Sequence, residues 1–369
     1  MIATIDVETI WHGRASGVTW FHPRACALPQ PGTFLMTCQS IGGSDVFGQV
    51  HWSVSTDHGD TWSAPAPIRS LGRRDLVDGL QEGVCDVLPG YHAETGVTLA
   101  VGHNVYYRNN VLTKPSEDRF PVFAVRDANG AWRGRHTLAW PNADVPAIYT
   151  SGCAQRIDLA DGHILLPLSV GDRPDAPRWV CTALCTFDGA ELAIEAMSNR
   201  LHLEVRRGLL EPTLAVHDAV VYMTIRAEDS RGYVSMSRDG MTWSGIQPWC
   251  WDDGEPLTMS TTQQRWIANR HGLYLAYTRR APENVNVMRW RAPLYIAQVD
   301  TAGLRLIRAT EHVAIPMTGD GINDPDHVAR MGNFHTVNAG PDEAWITVGE
   351  TLPADGWRGD TLLARVRWS

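Results

Sequence analysis

The chain has 369 residues, of which 44% are hydrophobic and 20% charged, and a formal net charge of −9. That balance excludes disorder and collagen-like repeats, and an acidic chain without a basic run offers no nucleic-acid surface. No stretch approaches the ~20 apolar residues that span a bilayer, so neither nucleic acid nor membrane is an expected partner.

In chain order, an N-terminal strand is followed by a stretch from Gln30 to Ile41 with a weak helical alternative. Then come GVTLAVGH, HILLPLSV, VVYMTIRA, LYLAYTR, LYIAQVD and finally LLARVRWS, separated by Asp, Gly, Asn and Pro turns. Short apolar or alternating runs between such turns read as strands. The chain is therefore expected to be almost entirely β.

Of the 32 cationic residues one is lysine, Lys114. Schiff-base chemistry has that single candidate, whereas arginine favours two-pronged recognition of carboxylate or sulfate. Cys26, Cys38, Cys85, Cys153, Cys181, Cys185 and Cys250 make an odd count of seven, without the spacing of a zinc knuckle. The start, MIATIDVETIWHGR, has no basic segment followed by a long apolar one. Reduced thiols and a cytoplasmic location are expected.

Two segments repeat. Ser55 to Trp62 read STDHGDTW and Ser237 to Trp243 read SRDGMTW, with looser echoes at Asp127, Asp188 and Asp300. The five aspartates are 70, 61, 51 and 61 residues apart, the length of a four-stranded propeller blade. A chain of this length holds about six such units, the last made from the N-terminal strand and LLARVRWS. In each turn the Asp and Ser oxygens accept backbone hydrogen bonds, Gly takes positive φ, and Trp packs beneath.

This turn is the Asp-box, and the chain resembles the sialidase superfamily of six-bladed β-propellers. Phe21-His22-Pro23-Arg24-Ala25 is similar to the sialidase F-R-I-P segment. Ser44-Asp45 lies upstream of the first box, where sialidases keep an acid/base. GLLEPTLAVHDAVVYMTIRAEDSRGYVSMSRDGMTW resembles a sialidase blade, and SGCAQRIDLADGHILLPL resembles the family's third-blade segment. The resemblance implies one propeller domain over residues 1–369 that hydrolyses a terminal acidic or deoxy sugar of an oligosaccharide. It maps Asp45 onto the acid/base, Glu211 onto the catalytic glutamate, and Arg226 and Arg291 onto carboxylate-binding arginines.

The chain also departs from the pattern. His22 occupies the first arginine position, with Arg24 two residues along and hence on the same strand face. Where sialidases carry the nucleophilic tyrosine, this chain has Phe334 and His335, leaving Tyr106, Tyr107 and Tyr149 as substitutes.

Glycoside hydrolysis ordinarily uses two carboxyls, and Asp45, Glu211 and Glu350 are the candidates at the mouth. Arg156 and Arg279 are further anion-binding candidates, and Gln263, within Ser260–Gln264, is suited to sugar hydroxyls. His22, His103 and His335 stand at strand ends and, with Tyr106 or Tyr149, offer a different machine. A histidine or tyrosine would abstract the proton α to a uronate carboxylate that an arginine neutralises, as in propeller lyases of rhamnose–glucuronate linkages. A glycan-binding propeller without catalysis is the third reading. The residues imply no cofactor and no metal, and they leave the oligomeric state open.

Overall fold

The computed structural model describes residues 1–113 and 118–369; Lys114 lies outside the described residues. Six antiparallel sheets follow one another around a ring. From inside outward, the first blade runs Trp20–Ala27, Phe34–Ile41, Phe47–Ser55 and Ala66–Pro67. The second comprises Leu80–His92, Val97–Arg108, Pro121–Arg126 and Trp132–Thr137. In the third, the short inner strands Ile148–Thr150 and Ile157–Asp158 precede Ile164–Gly171, Trp179–Phe187 and Leu192–Met197. Leu210–His217 and Arg265–Asn269 begin the fourth and fifth.

In the sixth blade, His335–Gly340 and Glu343–Thr351 pair onward to Thr361–Trp368, whose other edge takes Ile2–Trp11. The ring is thus closed by the two chain ends, as the repeat spacing implied. Gln30–Ile41 contains no helix; Phe34–Ile41 is a middle strand, because its side chains pack between two neighbouring blades. A single four-residue α-helix, Gly13–Ser16, is present among the described residues.

Blades stack face to face, so their middle strands are buried on both sides and read as continuous apolar runs. Ile164–Gly171 is buried at every residue. Leu99, Phe123, Leu166 and Cys181 belong to one such interblade core. All seven cysteines are unpaired thiols.

The Asp-boxes tie the outer turns. Asp57 Oδ1 accepts from the Ser55 hydroxyl at 2.8 Å and from the Thr61 amide at 2.9 Å. Asp239 repeats this with Ser237 at 2.8 Å and Thr242 at 2.7 Å, while Trp243 Nε1 donates to Thr182 of the adjoining blade. Asp127, Asp188 and Asp300 also accept amide hydrogen bonds within their own turns.

Candidate functional site

The inner strands present side chains to the centre by a shared device. In the first, second and fourth blades the register breaks between Phe21 and Arg24, Cys85 and Leu88, and Leu210 and Thr213. Inside each break one residue adopts left-handed backbone: His22 at φ 52°, Asp86 at 56° and Glu211 at 47°. Cys153, in the gap of the third blade's inner strand, does the same at 63°. Such a bulge re-aims a side chain, and non-glycine residues held at positive φ cluster at functional sites. Three of the four line a central cavity of about 760 Å³, to which every blade contributes.

Asp86 is the hub of the cavity floor. Arg24 Nη2 donates to its Oδ1 at 2.5 Å and also reaches Cys153 Sγ at 3.1 Å. His22 Nδ1 lies 3.4 Å from the same oxygen, its ring held between Phe21 and Phe47 with centroids 4.5 and 4.7 Å away. His103 Nε2 faces Cys85 Sγ at 3.4 Å. Its Nδ1 backs onto Gly152, where an added Cβ would come within 2.1 Å.

Burial, reinforced by the Arg24 charge, pulls His22 down to about 3, and burial pulls His103 down to about 4. Both imidazoles are uncharged at neutral pH. Burial opposes ionisation of Asp86 most strongly, but the charge of Arg24 and the other polar groups around the carboxyl together outweigh it and hold it well below the usual range.

On the opposite side, Arg226 donates to Glu211 Oε1 at 2.6 Å and reaches Glu228 at 3.4 Å, while Arg207 also pairs with Glu228. Glu211 Oε2 is buried without a hydrogen-bond partner among the described residues. Asp45 is exposed on a loop at φ 56°. That loop is fixed from below by the Tyr107 hydroxyl, which donates to the Asp45 carbonyl at 3.1 Å. Cys85, Asp86 and His103 offer three ligand atoms within 4.8 Å of one another. Asp86 is already paired with Arg24, and the surrounding arginines repel a cation, so this trio suits a metal poorly.

Of the residues singled out from sequence, Asp45, Glu211, His22, His103, Arg226 and Arg291 line this cavity. The others do not. Arg24 is buried beneath it as the Asp86 counter-ion. His335 is enclosed in the core, its Nε2 3.2 Å from the Ala25 carbonyl. Tyr149 donates to the Leu138 carbonyl and packs on Trp140. Tyr106 is buried and receives the Asn104 amide.

Arg156 ties two blades together through the carbonyls of Leu99 and Gly90 and the carboxylate of Asp158. Gln263 is buried against Phe334 and Thr262. Arg279 is locked to Glu311 on another face of the fifth blade. Glu350 is held by Arg14 at 2.5 Å. These polar groups are consumed by structural contacts, some between blades, as at Arg156, and some within one, as at Arg279.

Sequence reasoning missed Asp86, Arg119, Arg178, Arg289 and Trp357, all of which line the cavity. A charged residue inside the apolar run VCDVL was a usable signal for Asp86. The arginines sit in connections with no distinguishing pattern. No tyrosine is among the described residues that line the cavity.

No family model and no curated protein matches this sequence. Solved structures do. A Dyadobacter fermentans protein of unknown function superposes with a TM-score of 0.68 at 13% identity over 100% of both chains. The Hadza microbial sialidase Hz136 gives 0.67 at 15%, covering 97% of this chain and 68% of its own. Trypanosoma rangeli sialidase in complex with the inhibitor DANA gives 0.68 at 12%, with 99% of this chain on 60% of that one. The chain thus spans less than two thirds of the trypanosomal enzyme. At these identities the likeness is one of fold, and the fold is the sialidase-like six-bladed β-propeller.

Proposed function

We propose that the protein is an exo-acting glycoside hydrolase that removes a terminal acidic or deoxy sugar from an oligosaccharide. The observation that carries this reading is the charge of the cavity. Eight arginines line it against four carboxylates, in a chain whose net charge is −9. A pocket that concentrates cations inside an acidic protein is built for an anion, and paired N–H donors of arginine match a carboxylate. Arg291 holds that group while Arg226 orients Glu211, and Trp357, which lines the same cavity, offers a ring to cover a pyranose face.

Hydrolysis needs one group to protonate the leaving oxygen and a second to attack or to activate water. Asp45, exposed on its loop and lining the cavity, serves as acid/base. Glu211, oriented by Arg226, supplies the nucleophile or its activation through the oxygen that Arg226 leaves free. No tyrosine lines the cavity among the described residues, so in this reading the carboxylate itself takes the role.

A second reading is elimination from a uronate. It is favoured by the two uncharged imidazoles of His22 and His103 beside Asp86. It ranks below because His103 Nε2 is turned to Cys85 and Nδ1 to Gly152. The test is turnover of acidic oligosaccharides by Glu211→Gln and His103→Ala. Hydrolysis requires the first variant to lose roughly 10²- to 10⁴-fold, the usual worth of a positioned acid or base. An active Glu211→Gln with a dead His103→Ala transfers the chemistry to the histidines, and ligand binding without any product makes the protein a lectin.

A further inference from the structure

The cavity holds more arginine than one anion can use, and the surplus is distributed. Each acid but one is already committed: Asp86 to Arg24, Glu211 to Arg226, and Glu228 to Arg207 and Arg226. Arg178, Arg289 and Arg291 have no carboxylate partner among the described residues. Among the described residues, Arg119 contributes one long hydrogen bond, 3.4 Å, to the Thr113 carbonyl, and its Nε is buried without a partner.

Their places in the ring separate them into two groups. Arg119 bridges to Ile148 at the junction of the second and third blades. Arg178 bridges to Gly208 at the junction of the third and fourth. Arg289 and Arg291 lie in the connection of the fifth blade, and the Arg291 carbonyl accepts from Met331 of the sixth. The Arg119 and Arg291 junctions are three blades apart on a ring of six, hence on opposite walls. Glu211, on the fourth blade, stands between the groups.

The two walls share Arg226 and Glu211 as electrostatic neighbours but act on different imidazoles. Burial pulls Arg178 down to about 10, with Arg207 and Arg119 adding to the effect. Burial pulls Arg291 down to about 10 as well, there helped by Arg289 and Arg226. Among the imidazoles, His103 feels Arg119 and Arg178, while His22 feels Arg291. Arg178 and Arg291 are half-buried guanidinium groups at different blade junctions, and with no carboxylate ion-paired to either among the described residues each can take an acidic group of its own.

We infer that the cavity has two anion subsites and takes a doubly anionic glycan terminus, with one acidic group on Arg291 and Arg289 and the second on Arg178 and Arg119 beside His103. This rests on reading the cavity as a glycan site and specifies its substrate: a sugar bearing both a carboxylate and a sulfate, or two adjoining acidic sugars. The second subsite makes the preference for such substrates over singly charged ones a property of Arg178.

The test uses selenate, a sulfate analogue whose selenium is located by anomalous diffraction in crystals of the whole chain. The expected result is two selenates, one lost in Arg178→Gln and the other lost in Arg291→Gln. Melting curves check that both variants are folded. A single selenate, or two that both survive Arg178→Gln, overturns the inference. A panel of singly and doubly charged oligosaccharides then separates the two sources: whichever doubly charged class is turned over, sulfated uronates or paired acidic sugars, should lose more than tenfold in kcat/KM in Arg178→Gln, and singly charged ones less than threefold. Because selenate is read without turnover, a protein that cleaves nothing yet binds two selenates would refute the hydrolase reading and leave this one standing.

Discussion

At the turn Ser55–Trp62 the carboxylate of Asp57 finds its partners, Ser55 and Thr61, within four residues of itself. In the central cavity the carboxylate of Asp86 finds Arg24 at a separation of 62 residues and Asn333 at 247. Polar atoms of His22, His103, Glu211 and Arg291 there have no hydrogen-bond partner among the described residues. Both regions are made from aspartate, backbone turns and aromatic packing. The turn satisfies itself and supports the blade; the cavity leaves groups unsatisfied, which a buried site does when a ligand is to complete it.

Arginine shows the same contrast. Arg365, on the outer part of the sixth blade, engages Glu8, Asp60 and Glu343. Arg178 engages none of the described carboxylates. The partner set distinguishes an arginine that binds from one that braces, and abundance does not.

The largest effect that would break this contrast is at Asp86. Asp86→Asn leaves Arg24 buried without its counter-charge, which costs roughly 3–5 kcal/mol, measurable by urea unfolding. A loss below 1 kcal/mol would mean that the cavity floor is not held by this pair. The two floor histidines make the next prediction. Their folded values, about 3 for His22 and about 4 for His103, lie below the unfolded value near 6.5. The unfolded chain therefore binds more protons between those limits, so stability is full above about pH 6.5 and falls as pH drops toward 4. His22→Gln with His103→Gln should flatten that slope, and an unchanged slope would place the lost stability elsewhere.

A smaller effect belongs to the outer turns. Asp239→Ala should lower the melting temperature through lost backbone hydrogen bonds while selenate binding in the cavity stays as in the parent. Weaker selenate binding would show that turns and cavity are coupled. The mildest expectation concerns the thiols. Burial pushes Cys26 and Cys185 up to about 12, so iodoacetamide at pH 8 should leave both unmodified in the folded chain.

Fold and site were legible to different depths for the same reason. Asp57 and Asp239 announce themselves because their chemistry closes within a few residues, and their spacing carries the ring. Glu211 and Arg226 were readable because one hairpin holds both. Arg24 was placed wrongly because its inner strand breaks register at the site, and a bulge decides which side chain faces the cavity; His335 was placed wrongly because its partner, the Ala25 carbonyl, is 310 residues away. Glu350 and Arg156 were misjudged because their partners, Arg14 and the Leu99 carbonyl, are 336 and 57 residues away. Arg178 had no local signal at all, since its neighbours across the cavity come from other blades.

The central claim, hydrolysis of an acidic glycan terminus in this cavity, is tested most directly by the masses of the products released from sialylated, uronate-containing, sulfated and neutral oligosaccharides. The account predicts cleavage of acidic members only, with product masses that sum to the substrate plus one water. Products that sum to the substrate alone, one of them unsaturated, would contradict it and establish elimination.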